Sequence, residues 1–122
     1  MSLADFRRDQ LERSGGLIGA GLEIGAGARP TVKLPYIEMK YLDIVSADEL
    51  RGRAGADPTA IPDIDYVVQG EDYRPYVDEQ FDFIIANHVL QLIIDPIAWL
   101  RMVSDLLKPG GQLFLALPDK KY

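Results

Sequence analysis

Leu17-Ile-Gly-Ala-Gly-Leu-Glu-Ile-Gly-Ala-Gly27 decides how this chain folds. A short apolar run that stops at glycines reads as a buried parallel strand, because a strand covered on both faces has no polar side to alternate. The first strand is expected at residues 21–24. The same pattern returns down the chain. Residues 38–44, with Met39, Tyr41 and Leu42 behind a helix-blocking Pro35, form the expected second strand, and residues 64–69 the third. Phe81-Asp-Phe-Ile-Ile-Ala86, β-branched and aromatic apart from Asp82, is the fourth, and Leu113-Phe-Leu-Ala-Leu117, stopped by Pro118, is the fifth.

Between the strands the helix signals are local. Ser46-Ala-Asp-Glu49 matches a capping box and predicts a helix over 47–53 before Gly55, Pro58 and Pro62 break it. Asp95 is an N-cap with Pro96 at the first helical position, and Ile97, Leu100, Val103 and Leu107 supply the expected apolar stripe. Lys108-Pro-Gly-Gly111 ends that helix. Residues 4–13 read as a short lid or packing helix, and 73–77 are too short a run to assign. About a dozen residues containing Pro30 and Pro35 join the first two strands, close to the minimum for a parallel crossover, so that connection is expected to be irregular. The pattern is an α/β fold with a parallel sheet, organised as one domain over 1–122: a helical lid in 1–16 and a core in 17–122.

Composition narrows the chemistry. The 122 residues are 48% hydrophobic and 26% charged, ordinary globular usage. No cysteine and a single histidine leave no thiolate zinc site, no cysteine nucleophile, no disulfide and no multi-histidine metal site. A net charge of −6, with no basic patch beyond Arg7-Arg8 and Lys120-Lys121, argues against a nucleic-acid partner. No window has the apolar length of a membrane span and no apolar core of a secretory signal opens the chain, so a soluble cytoplasmic protein is expected.

The chemistry-bearing residues are Glu23, Gly25, Gly27 and Asp43. Glycines let the backbone turn tightly beside a ligand at the end of the first strand, and a carboxylate closing the second strand accepts hydrogen bonds from ribose hydroxyls. A dinucleotide site would want a further glycine opening a helix; here Pro30 stands in that place, and Glu23 would repel a pyrophosphate. A cationic adenosine ligand fits better than a nicotinamide dinucleotide, which remains the rival reading with the same strand-tip carboxylate.

Gly21-Leu-Glu-Ile-Gly-Ala-Gly27, Asp43, Phe81-Asp-Phe-Ile-Ile-Ala-Asn-His88 and Leu107-Lys-Pro-Gly-Gly-Gln-Leu113, in that order, resemble the class I S-adenosylmethionine-dependent methyltransferases, type 11 in particular. The resemblance covers about 17–118 and implies a Rossmann-like three-layer sandwich with strand order 3-2-1-4-5. It implies S-adenosylmethionine as cofactor and a small-molecule acceptor. It also implies that Glu23, Gly25, Ala26 and Gly27 line the methionine end of the cofactor and that Asp43 holds the ribose. Gln69 and Gly70 would lie beside the adenine, and Asn87 and His88 would flank the sulfonium. No acid or base is required by such chemistry, which rests on positioning, and no catalytic residue is assigned.

Against the family's pattern, Arg29 replaces the third glycine, Gln69 replaces an acid, and Gln91-Leu92 stands where many relatives carry Glu-His. The family's sheet has seven strands, and this chain reaches Tyr122 just after its fifth, so the sheet is expected to be truncated there. An edge as apolar as Leu113-Phe-Leu-Ala-Leu117 calls for a cover, expected to be a second copy or another partner. The alternative function is an inactive cofactor-binding or scaffolding domain, or a fragment of a larger methyltransferase. Singly, His88 and Asp82 read as hydrogen-bonded structural groups, Trp99 and Met102 as packing, and Tyr66, Tyr73 and Tyr76 as residues whose spacing requires no acceptor pocket.

Overall fold

The computed structural model describes residues 19–26, 30–32, 37–53 and 58–117. The helix expected over 4–13, Gly27 and Arg29 lie outside them. Among the described residues five strands, β1 (Ala20–Ile24), β2 (Glu38–Asp43), β3 (Tyr66–Val67), β4 (Phe81–Asn87) and β5 (Leu107–Ala116), form one sheet in the order β3-β2-β1-β4-β5. Every neighbouring pair is parallel. The α/β Rossmann-like architecture and its strand order are as expected.

The centre of the sheet is its most apolar part. Phe83, Ile84, Ile85 and Ala86 on β4 are fully buried, alternating between the two faces. Ile84 and Ala86 join Leu22, Ile24 and Leu42 under the helix α2 (Pro96–Asp105), whereas Phe83 and Ile85 meet Val32 and Ile37 on the other face. Burying each such side chain stabilises the fold by about 1.5–3 kcal/mol. Phe83 also explains Gly21: a Cβ at that position would sit 2.2 Å from the phenyl ring, so only glycine lets the two strands lie in register here.

The helices are set by their caps. In α1 (Ala47–Arg51) the Ser46 Oγ accepts from the Glu49 N–H at 3.2 Å, as the capping box predicts, and Gly52 ends the helix two residues earlier than expected. In α2 the Asp95 Oδ1 accepts from the Ala98 N–H at 3.1 Å. The buried face of α2 is Trp99, Met102 and Val103, continued by Leu106; of the stripe read from the sequence, Val103 and Leu100 pack on the core, whereas Ile97 is 62% exposed and Leu107 already belongs to β5. The reason is Trp99, the bulkiest fully buried side chain. Its indole N–H donates to the Tyr73 hydroxyl at 3.0 Å and the two rings meet edge to face, centring the helix on that residue.

Two strands differ from expectation. β3 pairs over two residues only, flanked by the Asp65 N–H donating to Tyr41 O and the Val68 N–H donating to Asp43 O, as a short sheet edge permits. β5 starts at Leu107 rather than at 113, because Leu107 pairs with Phe81 before the ladder resumes at Gln112 opposite Phe83. The Lys-Pro-Gly-Gly run therefore bulges out within the strand, with Gly110 at φ +80°, instead of serving only as a helix stop.

Asp82 faces this bulge. Its Oδ2 accepts from the Ala20 N–H at 2.8 Å, fastening the start of β1, and lies 3.5 Å from Lys108 Nζ. The Ala20 hydrogen bond first, and Lys108 second, hold the carboxyl below its ordinary pKa of 3.8. A depressed folded-state pKa adds stability above the unfolded value that is lost as pH falls through the folded one. Asp82→Asn is therefore expected to melt below the parent at neutral pH, with the gap narrowing below the ordinary value of 3.8 in melts carried toward about pH 2.

Candidate functional site

Parallel register brings the carboxyl ends of β1, β2 and β4 to one edge of the sheet. Ile24 lies opposite both Leu42 and Ala86, so Gly25, Asp43 and Asn87 emerge side by side. The Gly25 N–H donates to Leu42 O at 2.9 Å, closing the turn against β2. Gly25 takes φ +70°, and a Cβ there would touch Val89 Cγ2 at 3.4 Å, so the glycine keeps the passage between the two strand tips open.

Asp43 is half-buried at the end of β2. Its Oδ1 accepts from the Ile44 N–H at 2.7 Å, which fixes the carboxylate plane, and its Oδ2 has no protein partner among the described residues. Beyond β3, Gly70 turns at φ +79° with open space where a side chain would be, and Gln69 is exposed. Glu71 then reaches across: its Oε2 accepts from the Ile94 N–H at 2.8 Å and its Oε1 from the Asp95 N–H at 3.3 Å, tying the β3 loop to the segment before α2.

These groups enclose a cleft of about 430 Å³, within the usual range for small-molecule sites. Gly25, Asp43, Ile44, Gly70, Glu71 and Tyr73 form one side, and Val89, Leu92, Ile93 and Ile94 the other. Ile44, Leu92 and Ile94 are 71%, 75% and 92% exposed, so the apolar mouth is open to solvent. Burial pushes the Tyr73 phenol pKa up, keeping it a neutral acceptor for Trp99. Apolar walls with a strand-tip carboxylate suit a ligand that has a flat apolar ring and adjacent hydroxyl donors.

Glu23, although on the same strand end, is engaged elsewhere. It is only 2% exposed; its Oε1 accepts from the Thr31 N–H at 2.8 Å and its Oε2 from the Thr31 hydroxyl at 2.7 Å. Asn87 Nδ2 donates to the same hydroxyl oxygen at 2.9 Å. Burial first, and the charge of Glu23 second, push the Tyr41 phenol pKa up. Ala26 is half-buried beside Gly25. His88 takes φ 59° and its N–H donates to Ala116 O at 2.7 Å, which turns the chain out of β4.

Of the residues expected at the site, the structure thus gathers Gly25, Asp43 and Gly70 on the cleft, puts Glu23 and Asn87 in a network around Thr31, and leaves Gln69 exposed at the margin. Tyr73 lines the cleft, while the Tyr66 hydroxyl donates to Glu79 at 2.7 Å and Tyr76 is exposed. Sequence reasoning missed Thr31, Glu71 and the apolar mouth. An acid two residues after Gln69 was a usable signal for Glu71; nothing local marked Thr31, whose partner Glu23 lies eight residues away.

A parallel sheet of this order with a glycine turn and an acidic strand tip defines a Rossmann-like nucleotide-site fold. Residues 4–122 match the methyltransferase domain family, and the chain belongs to it, within the class I S-adenosylmethionine-dependent methyltransferases. A ubiquinone biosynthesis O-methyltransferase of Ruegeria pomeroyi is 34% identical over 74 residues, covering 57% of this chain and 29% of that protein. The solved DhpI-SAM-HEP complex superposes with a TM-score of 0.68 at 21% identity, covering 97% of this chain and 56% of the other. The glycopeptide N-methyltransferase MtfA with S-adenosyl-L-methionine gives 0.60 at 20% identity, covering 92% and 53%. At such identities the two structures show the shared fold. The chain spans less than half the length of the curated relatives it matches first.

Gly25→Ala should cost about 1–2 kcal/mol of stability, the price of a left-handed conformation with a side chain. Urea unfolding monitored by far-ultraviolet circular dichroism checks this, and an unchanged midpoint would show that the turn relaxes out of positive φ.

Proposed function

We propose that this chain binds S-adenosylmethionine in the strand-tip cleft and carries out methyl transfer to a small-molecule acceptor. The observation that carries the reading is Asp43, a half-buried carboxylate with one oxygen fixed by its own loop and the other unpartnered among the described residues, beside the Gly25 turn. The residues fit the cofactor: a side chain at Gly25 would intrude on the passage, the cleft walls are apolar, and the nearby formal charges are negative, matching a cationic ligand.

In this reading Asp43 accepts from the ribose hydroxyls, while Ile44, Leu92 and Ile94 shield the adenine from water. Gln69 and Gly70 border the adenine edge, and the Gln69 amide oxygen is able to accept from its amino group. Glu23, Gly25, Ala26 and Gly27 shape the methionine end, and Asn87 and His88 flank the sulfonium. The bound cofactor supplies an electrophilic methyl group. The chain's own contribution is to hold the cofactor and the acceptor's nucleophile in line at about 3 Å, which needs no protein acid or base.

Two observations support a small acceptor without multiple negative charges. No lysine or arginine lines the cleft among the described residues, and the net charge is −6. The matched proteins carry names that point to quinone and glycopeptide acceptors, both compatible with an apolar mouth. No helix among the described residues is long and apolar enough to cross a membrane, and the proposed setting is the cytoplasm.

Calorimetric titration with S-adenosylhomocysteine tests the site. The parent should bind at micromolar strength, about −8 kcal/mol, and Asp43→Ala should weaken binding about 10- to 100-fold, as expected for lost hydrogen bonds to a charged group. Absence of heat from the parent at high ligand concentration would overturn the reading and favour a scaffold that keeps only the fold.

The β5 edge belongs to the same proposal. Leu115 and Leu117 are 37% and 51% exposed there, and a second copy of the chain is the proposed cover. Sedimentation should show a mass that rises with concentration; a constant monomer mass would rule the second copy out.

A further inference from the structure

Between the 3-10 turn Leu90–Leu92 and the first residue of α2, two backbone N–H groups need acceptors, those of Ile94 and Asp95. The Ile93 N–H already donates to Leu90 O at 3.1 Å, and Pro96 has no N–H. In a capping box the N-cap side chain accepts from the third helical residue, and an acid at that residue accepts in return from the N-cap N–H. Asp95 makes the first of these bonds, from the Ala98 N–H at 3.1 Å, but the alanine side chain is unable to make the second. Glu71 supplies it from 24 residues away, on the loop after β3: its Oε1 accepts from the Asp95 N–H at 3.3 Å, and its Oε2 from the Ile94 N–H at 2.8 Å. Glu71 lines the cleft on the side of Asp43 and Gly70, whereas Ile94 lines the opposite side. Among the described residues no other side-chain hydrogen bond joins the two sides.

We propose that Glu71 is a positioning residue of the cofactor cleft: it completes the cap of α2 from across the cleft, and so fixes the spacing between the apolar wall of Leu92, Ile93 and Ile94 and the side that carries Asp43. The helix is anchored independently through buried Trp99, Met102 and Val103. Loss of the Glu71 side chain therefore releases the wall without releasing the helix. The inference rests on the functional reading above, in which that wall shields the adenine from water. Leu92 and Ile94 are 75% and 92% exposed without a ligand, so little packing of their own holds them in place, and the bond from Glu71 to the backbone does so instead.

A positioning role differs from direct contact with the ligand in what it predicts. A carboxyl group that touches the ligand contributes the same amount whether or not the wall is present. A carboxyl group that acts through the wall contributes nothing once the wall side chains are gone, and a double-mutant cycle measures that coupling.

The test measures S-adenosylhomocysteine affinity by calorimetry in the parent, in Glu71→Ala, in the wall variant Leu92→Ala with Ile94→Ala, and in the three changes combined, with melting temperatures alongside. Glu71→Ala and the wall variant should each weaken binding about tenfold, the scale of burying one apolar side chain. Adding Glu71→Ala to the wall variant should weaken binding by no more than about twofold further. Glu71→Gln keeps one acceptor for the Ile94 N–H; it should show a smaller loss with the same coupling, and it carries the cycle if Glu71→Ala fails to fold. Unchanged affinity in a folded Glu71→Ala, parent-like affinity in the wall variant, or the same tenfold loss from Glu71→Ala with and without the wall would each overturn the positioning role while the functional reading stands. A parent that does not bind S-adenosylhomocysteine would overturn the functional reading, and this inference with it.

Discussion

Gly21 against Phe83 is the contact on which the site depends. The two residues are register partners on β1 and β4, and the Phe83 ring occupies the space that any side chain at position 21 would need. Sliding β1 by one residue would bring Ala20 or Leu22 under the ring and would turn Glu23 from one face of the sheet to the other. With the register keyed in this way, Ile24 falls opposite Ala86 on one side and Leu42 on the other, and the ends of the three strands open at one level. The Gly25 turn, Asp43 and Asn87 are neighbours as a result, though about half of the chain separates the first from the last.

A second constraint is the acid inside β1. Glu23 is nearly as buried as the leucine and isoleucine around it, and an unsatisfied carboxylate there would cost several kcal/mol. Two bonds from Thr31 offset that cost, and in doing so they fasten the connection leaving β1 where a dinucleotide fold would use the first turn of a helix. The buried acid thus anchors the loop as well as the strand.

What was legible in the sequence follows from the range of the forces involved. β4 announced itself because Phe81 to Ala86 is apolar on both faces, and the helix caps at Ser46 and Asp95 were readable because a cap and its partner lie three residues apart. Gly25 and Asp43 were legible as strand ends, since glycines and a carboxylate mark where an apolar run stops. The face of α2 was read only in part because periodicity alone cannot weigh a tryptophan: Leu100 and Val103 pack on the core as expected, but Trp99 and its bond to Tyr73, 26 residues away, centre the helix so that Ile97 faces out. The early start of β5 was hidden because Pro109 and two glycines read as an end to structure, while the pairing of Leu107 with Phe81 is a long-range event. Thr31 was invisible for the same reason, and Glu71 was marked only as an acid two residues after Gln69, with nothing to show what it would bind. Their partners lie 8 and 23 residues away across loops whose paths no local pattern dictates.

The two walls of the cleft are held by different forces, and this divides their tasks. Gly25, Leu42 and Asp43 are fixed by ladder hydrogen bonds of a buried sheet, which leave little freedom to vary without loss of the core. Leu92 and Ile94 stand on a short connection whose position relies on the carboxylate of Glu71 and a single 3-10 turn. Replacing an exposed leucine or isoleucine there removes no core contact, whereas the sheet wall cannot change without disturbing the strand ladder. Leu92 of the Gln91-Leu92 pair falls on this second wall, away from the register that places Asp43 beside Gly25.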